Sequence, residues 1–104
     1  MKLWLDDERP APAGWVHVRT AHDAILQIAA GGVAELSLDH DLGEPESEVG
    51  TGYDVLLAME EMAATGQGDL VPKVIDIHTA NSAARMRMQA ARASIERFLG
   101  GKHV

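Results

Sequence analysis

Three short apolar runs in this chain each end in a cluster of side chains able to hold a cation or move a proton. Leu3-Trp4-Leu5 leads into Asp6-Asp7-Glu8-Arg9, Leu36-Ser37-Leu38 into Asp39-His40-Asp41, and Val74-Ile75-Asp76-Ile77 into His78-Thr79-Ala80-Asn81. Carboxylates and imidazoles bind hard or borderline divalent cations and exchange protons with oxygen substrates. If the three segments meet, Asp6, Asp7, Asp39 and Asp41 bring four negative charges together. At ~5 Å and an effective dielectric of about 20, each pair costs roughly 3 kcal/mol. A divalent cation removes that repulsion more fully than protonation does. Oxygen ligands favour magnesium or manganese, and two neighbouring imidazoles also admit zinc or iron. Arg9 and Arg85 are cations able to clamp phosphate oxygens, and the amino end of a helix near Asn81-Ser82 offers backbone amides to an anion.

These residues have plainer roles to set against the chemical ones. An aspartate after a strand is commonly a turn former or helix cap, and both arginines suit an ordinary surface. His17 is expected on a strand face and His22 in a first helical turn, each structural, with His103 in a terminal tail. Met86 and Met88 read as core and surface filler. The Asp6-Asp7 pair and the Asp39-His40-Asp41 triplet are the most specific signals. His78 gains weight from its company.

The elements that must position these groups follow from pattern. The three runs, with Trp15-Val16-His17-Val18, have the length and β-branched content of strands. Between them, Asp23 to Ala30 puts Ala24, Ile25, Ile28 and Ala29 on one helical stripe, stopped by Gly31-Gly32. Thr20 with Asp23 reads as a capping box, and Thr51 with Asp54 repeats it ahead of Val55, Leu56, Met59 and Met62. A last helix spans about Ala83 to Leu99, with Met88, Ala91, Ile95, Phe98 and Leu99 facing the core and Gly100-Gly101 ending it. The order β, β, α, β, α, β, α predicts a mainly parallel four-stranded sheet with three helices. Ligands of such sheets bind beyond the carboxyl ends of the strands. The Pro-rich link between the first two strands is short for a parallel crossover, which leaves that pair tightly bridged or antiparallel. Gly43 to Gly50 reads as a mobile acidic loop beside the third strand, suited to close over a ligand.

Composition bounds the answer. The 104 residues suffice for a single domain, 1–104, with one core; 46% are apolar and only 4% aromatic, so Leu, Ile, Val, Ala and Met must fill it. A net charge of −7 argues against bulk nucleic-acid binding and against an anionic membrane surface. With no cysteine, disulfides and thiolate metal sites are excluded. The first residues do not form a signal peptide, and no segment has the ~20 apolar residues of a membrane span. A soluble, cytoplasmic protein is expected.

Leu5-Asp6-Asp7, Gly14-Trp15-Val16 through Ala21 to Ala24, Leu38-Asp39 and Thr79-Ala80 resemble the receiver domain of response regulators. The resemblance implies a small three-layer flavodoxin-like fold. It places Asp6 and Asp7 in the family's magnesium-binding acidic pair, Asp39 at the phosphoacceptor position and Thr79 at the fourth-strand hydroxyl. The sequence departs from it in lacking the first receiver helix and the fifth strand with its lysine; Lys73 precedes the fourth strand and Lys102 trails the last helix. His40 and His78 are additions. The strings Leu-Asp-Asp-Glu-Arg-Pro, Ser-Leu-Asp-His-Asp-Leu-Gly, Thr-Gly-Tyr-Asp-Val-Leu and Ile-His-Thr-Ala-Asn are similar to a divergent branch, the cyclic-phosphate processing receiver-like domains. That likeness covers nearly the whole chain and implies a pocket for cyclic phosphates of nucleotides or RNA ends.

Three functions follow as expectations. In a metal-dependent phosphoesterase, Asp6, Asp7 and Asp39 hold the cation, with Asp41 a further ligand or a support for His40. His40 and His78 trade protons with water and the leaving oxygen, while Arg9, Thr79, Asn81 and Arg85 fix the phosphate. Alternatively, a receiver-like binding or signalling module accepts phosphate at Asp39 or pairs with another protein, a second copy included, through its last helix. In a purely structural domain the acids are only caps and turns.

Overall fold

The computed structural model describes residues 1–101, so His103 and Lys102 lie outside the described residues. Strands β1 (Lys2–Leu5), β2 (Trp15–Val18), β3 (Glu35–Leu38) and β4 (Val74–Ile77) form one sheet in the order β2-β1-β3-β4. Every neighbouring pair is parallel, which decides the orientation of the first two strands. No helix is needed to join them. A four-residue strand rises only ~13 Å, and an extended link at ~3.3 Å per residue covers that return easily.

Helices α1 (Ala21–Ala29), α2 (Glu46–Val49), α3 (Gly52–Ala64) and α4 (Ser82–Gly101) complete the fold, with a 3-10 turn at Gly68–Leu70. One more helix is present than the three expected. The acidic Gly43–Gly50 segment, expected to be a mobile loop, folds a single turn over Glu46–Val49, and Val49 packs against the core. Thr20 caps α1 by accepting from the Asp23 amide. At Thr51 the capping box is complete, with Asp54 Oδ2 accepting from the Thr51 amide in return. Ala29 and Phe98, assigned to core faces, are exposed, because each lies at the margin of its buried stripe. Helix α4 also runs through Gly100 and Gly101 rather than ending before them.

Sheet order explains which face is covered. Strand placement steps one way across the sheet from β1 to β2 and then the opposite way through β3 to β4. Right-handed crossovers therefore put α1 and α3 on one face and the Pro10–Gly14 link on the other. The burial agrees. Leu3, Leu5, Leu36, Leu38 and Ile75 join Ala24, Ile28, Val55, Leu56, Met59, Met88 and Ile95 in one cluster. The intervening residues Lys2, Trp4, Trp15, His17, Glu35, Val74 and Asp76 belong to no such cluster. The third layer of a flavodoxin-like domain is thus not formed among the described residues, since the first receiver helix that would build it is the piece replaced by the link. No described helix is long and apolar enough to cross a membrane.

Candidate functional site

The parallel register puts Leu5, Leu38 and Ile77 side by side. The next residue of each strand is Asp6, Asp39 and His78, and their amides continue the ladder: Asp39 to Leu5 O at 3.0 Å and His78 to Leu38 O at 2.9 Å. Strand alternation then turns all three side chains toward the face without helices. One carboxylate oxygen from each aspartate and one imidazole nitrogen lie within 4.8 Å of one another. Of the side chains expected to converge, Asp6, Asp39 and His78 do so at this rung.

Asp6 is fully buried. Its Oδ1 accepts from the amides of Glu8 and Arg9, both at 2.8 Å, and Oδ2 accepts from His78 Nε2 at 3.1 Å. Arg9 Nε stands 3.0 Å from the same Oδ2, and Arg9 Nη2 lies 3.7 Å from Asp39 Oδ2 and donates to His78 O. Burial pushes the Asp6 carboxyl upward, but the two amides, His78 and the guanidinium outweigh it and hold the group below its ordinary value. Asp6 is a charged carboxylate held in place by its hydrogen bonds.

His78 is pressed the other way. Burial lowers its pKa more than the Asp6 hydrogen bond raises it, so the ring is neutral at pH 7. With Nε2–H donated to Asp6, Nδ1 is left as an acceptor, and the Ser37 hydroxyl fills it at 2.6 Å. The Trp4 indole lies flat on the imidazole, ring centres 4.0 Å apart and planes 6° apart, and donates Nε1–H to Arg9 O. Ser37 and Trp4 escaped the sequence reading, although both sit at alternate strand positions on the side of Asp6 and Asp39. That parity was the available signal.

Other expected residues are placed differently. His40 follows Asp39, so alternation turns it to the opposite face. It is buried, and its Nδ1 donates to Asp41 Oδ1 at 2.8 Å. The His40 hydrogen bond chiefly, with Asn81 in support, lowers the Asp41 pKa despite some burial. His40 and His78 therefore do not share the 4.8 Å cluster, and neither do Asp7 and Asp41. Asp7 and Asp41 instead line an open cleft of about 440 Å³, together with Asp6, Arg9, Asp39, Gly43, Thr79 and Asn81.

Thr79 is 1% exposed and accepts from the Asn81 amide. Asn81 has a capping role: its Oδ1 accepts from the Ala84 amide in the first turn of α4, and its Nδ2 donates to Asp41 Oδ2 at 3.4 Å. Arg85 is turned back onto Thr79 O and is not among the lining residues. Arg19, not expected, reaches the rim and donates to Asp7 O. His17, read as structural, donates Nε2–H to Asp6 O at 2.7 Å and pins the turn that carries the aspartate.

Two carboxylates and an imidazole at this spacing form a donor set suited to a small divalent cation. Beside them lie a guanidinium and a helix amino end, both phosphate-binding elements. Comparison with known proteins agrees with the fold. No curated protein and no solved structure gives a significant match. The model of one family, described as the cyclic-phosphate processing receiver domain, matches residues 1–94, and the chain belongs to that family.

Proposed function

We propose that this domain is a metal-dependent phosphoesterase acting on cyclic phosphates of nucleotides or RNA ends. The observation that carries the reading is the convergence of Asp6, Asp39 and His78 within 4.8 Å, with both aspartates lining the cleft. Asp6 and Asp39 are the first ligands and His78 the third, with magnesium or manganese favoured by the oxygens and zinc admitted by the ring. A bound cation supplies a more acidic water and a polarised phosphoryl oxygen.

The chain's own groups do the rest. Arg9 neutralises Asp6 and Asp39 while they are unmetallated. Its half-exposed side chain would be free to turn onto a phosphate oxygen were Asp6 and Asp39 to hold a cation. Thr79 and the amino end of α4 hold further oxygens. Asp41, on the cleft and backed by His40, accepts the proton of the attacking water. The water oxygen bonds to phosphorus, one ring P–O bond breaks, and the released sugar oxygen takes a proton from solvent or from Asp41. His40 thus acts through Asp41, a changed role from the acid–base partnership with His78 that the sequence suggested.

The test is a panel of 2′,3′-cyclic nucleotides with magnesium, manganese and zinc. Cation-dependent opening to a phosphomonoester, abolished in Asp39→Asn, is expected. A second reading, a phosphate-accepting receiver module, draws on Asp39 and Thr79 both lining the cleft. Acetyl phosphate with magnesium separates the two. A lasting mass gain of one phosphoryl group, lost in Asp39→Asn, without turnover of any cyclic substrate, favours the module.

A further inference from the structure

The helix-free face of the sheet carries a pattern that matches itself. At one level across it stand Trp15, Lys2, Glu35 and Val74, and at the next His17, Trp4, Ser37 and Asp76. An aromatic row crosses it, with Trp15 edge-on to Trp4 at 6.1 Å and Trp4 stacked on His78. Lys2, Val74 and Asp76 are exposed. Basic Lys2 lies on the β1 side of the sheet's midline, and acidic Glu35 and Asp76 lie on the β3–β4 side.

We propose that this face is the surface through which two copies of the chain associate, about a two-fold axis parallel to the strands between β1 and β3. That axis keeps each level and reverses strand order. It sets β1 of one copy over β3 of the other and β2 over β4. Lys2 then faces Glu35 of the second copy, and the reverse contact completes an alternating square of four charges. Trp15 covers Val74, and His17 lies over Asp76. The half of the face carrying the Pro10–Gly14 link meets the half without one. A two-fold axis across the strands instead opposes Lys2 to Trp4 and leaves both acids without a cation. Charge therefore selects the first axis, and aligned packing of two sheets is a standard arrangement. A face roughly 19 by 13 Å is smaller than the ~800 Å² per partner of a standard interface, so the dimer is reversible and concentration-dependent.

Sedimentation equilibrium of the full chain from about 10 µM to about 1 mM, a range set by this modest area, tests the proposal. A monomer–dimer equilibrium is expected for the native chain. Lys2→Glu and Glu35→Lys should each weaken it at least fivefold. The two variants mixed in equal amounts should associate at least as tightly as the native chain, because the heterodimer pairs two acids on one copy with two bases on the other. Circular dichroism of each variant shows that it remains folded. A native chain that stays monomeric throughout, or a dimer indifferent to both substitutions, overturns the proposal; the latter outcome moves the interface elsewhere, the last helix included.

Discussion

Arg9 Nε stands 3.0 Å from Asp6 Oδ2, so a guanidinium lies against the carboxylate best placed to bind a cation. Arg9 is half exposed and contributes no more than ~1 kcal/mol through such contacts. It competes with a metal for the same oxygens. Arg9→Gln is therefore expected to tighten manganese binding by up to about fivefold, that energy converted at 1.4 kcal/mol per decade. The same substitution weakens binding of a cyclic nucleotide. Titration calorimetry with manganese alone reads the first effect, and an affinity that stays constant or falls removes the competition.

Asp6 and Asp39 look alike in sequence but are held differently. Asp6 accepts two amides, a ring N–H and the guanidinium. Asp39 accepts the His40 amide and lies 3.7 Å from Arg9. Asp6→Asn sets an NH₂ group against the His78 and Arg9 donors in a buried place, and should cost about 3 kcal/mol in urea melts. Asp39→Asn should cost under ~1 kcal/mol and still abolish turnover. Equal costs for the two would mean that the ladder geometry does not distinguish them.

Ser37 can partner His78 Nδ1 in either tautomer of the ring. With Nε2–H on Asp6, the hydroxyl donates to Nδ1; for Nε2 to bind a cation the proton must sit on Nδ1, and the same hydroxyl then accepts. Ser37→Ala should leave the sheet intact while lowering cation affinity about 10-fold or more, the usual loss for such an outer partner. Nitrogen-15 spectra of the imidazole provide a separate reading: addition of metal should move the proton from Nε2 to Nδ1 in the native chain. Native affinity in Ser37→Ala would leave the serine as packing alone.

Stability should depend on pH through His78. Its folded pKa is depressed by burial, so the unfolded chain takes up a proton first as pH falls through about 6.5. The stabilisation is complete above that value and declines below it, down through the folded pKa. Asp6 and Asp41, also depressed, add a second loss as pH falls below about 4. The thermal midpoint is expected to drop between pH 7.5 and pH 5 in metal-free buffer. His78→Phe keeps a ring against Trp4 and cannot take the proton, so its midpoint should change less over that interval. A slope that survives His78→Phe assigns the titration to another group.

How far the sequence carried this reading can be judged residue by residue. Asp6, Asp39 and His78 each follow a strand by one position, so a parallel register alone brings them to one rung. Pattern was enough there. The Asp39-His40-Asp41 triplet divides, because strand parity sends His40 to the helix side while Asp39 and Asp41 stand on the cleft. Ser37 looked like strand filler, since its partner His78 is remote in sequence and a serine has no signature of its own. The bare face was hidden for a different reason. Coverage of a sheet depends on strand order and crossover hand, and neither is written in any local segment. The short helix α2 rests on the packing of Val49, another contact that composition does not announce.

Gly52 supplies the last test, because it joins the fold to the site. Its amide donates to His40 O at 3.0 Å, and a Cβ built on it would stand 1.9 Å from Asp39 O and 2.8 Å from Met88 Cε. The methionine end can move aside, but the Asp39 carbonyl cannot without shifting the strand end that carries the Asp39 carboxylate. Only a residue without a side chain lets α3 start this close to β3. Gly52→Ala should therefore cost about 1–3 kcal/mol, the range for overpacking a dense core, and should also move Asp39 and lower cation affinity. Met88→Ala is the control, since it opens space at Met88 Cε while leaving the carbonyl clash in place. If the double variant Gly52→Ala, Met88→Ala regains the cation affinity of Met88→Ala alone, the obstruction is the methionine and the backbone contact is of no consequence. If affinity stays low in the double variant, the glycine is required because Asp39 lies directly against it.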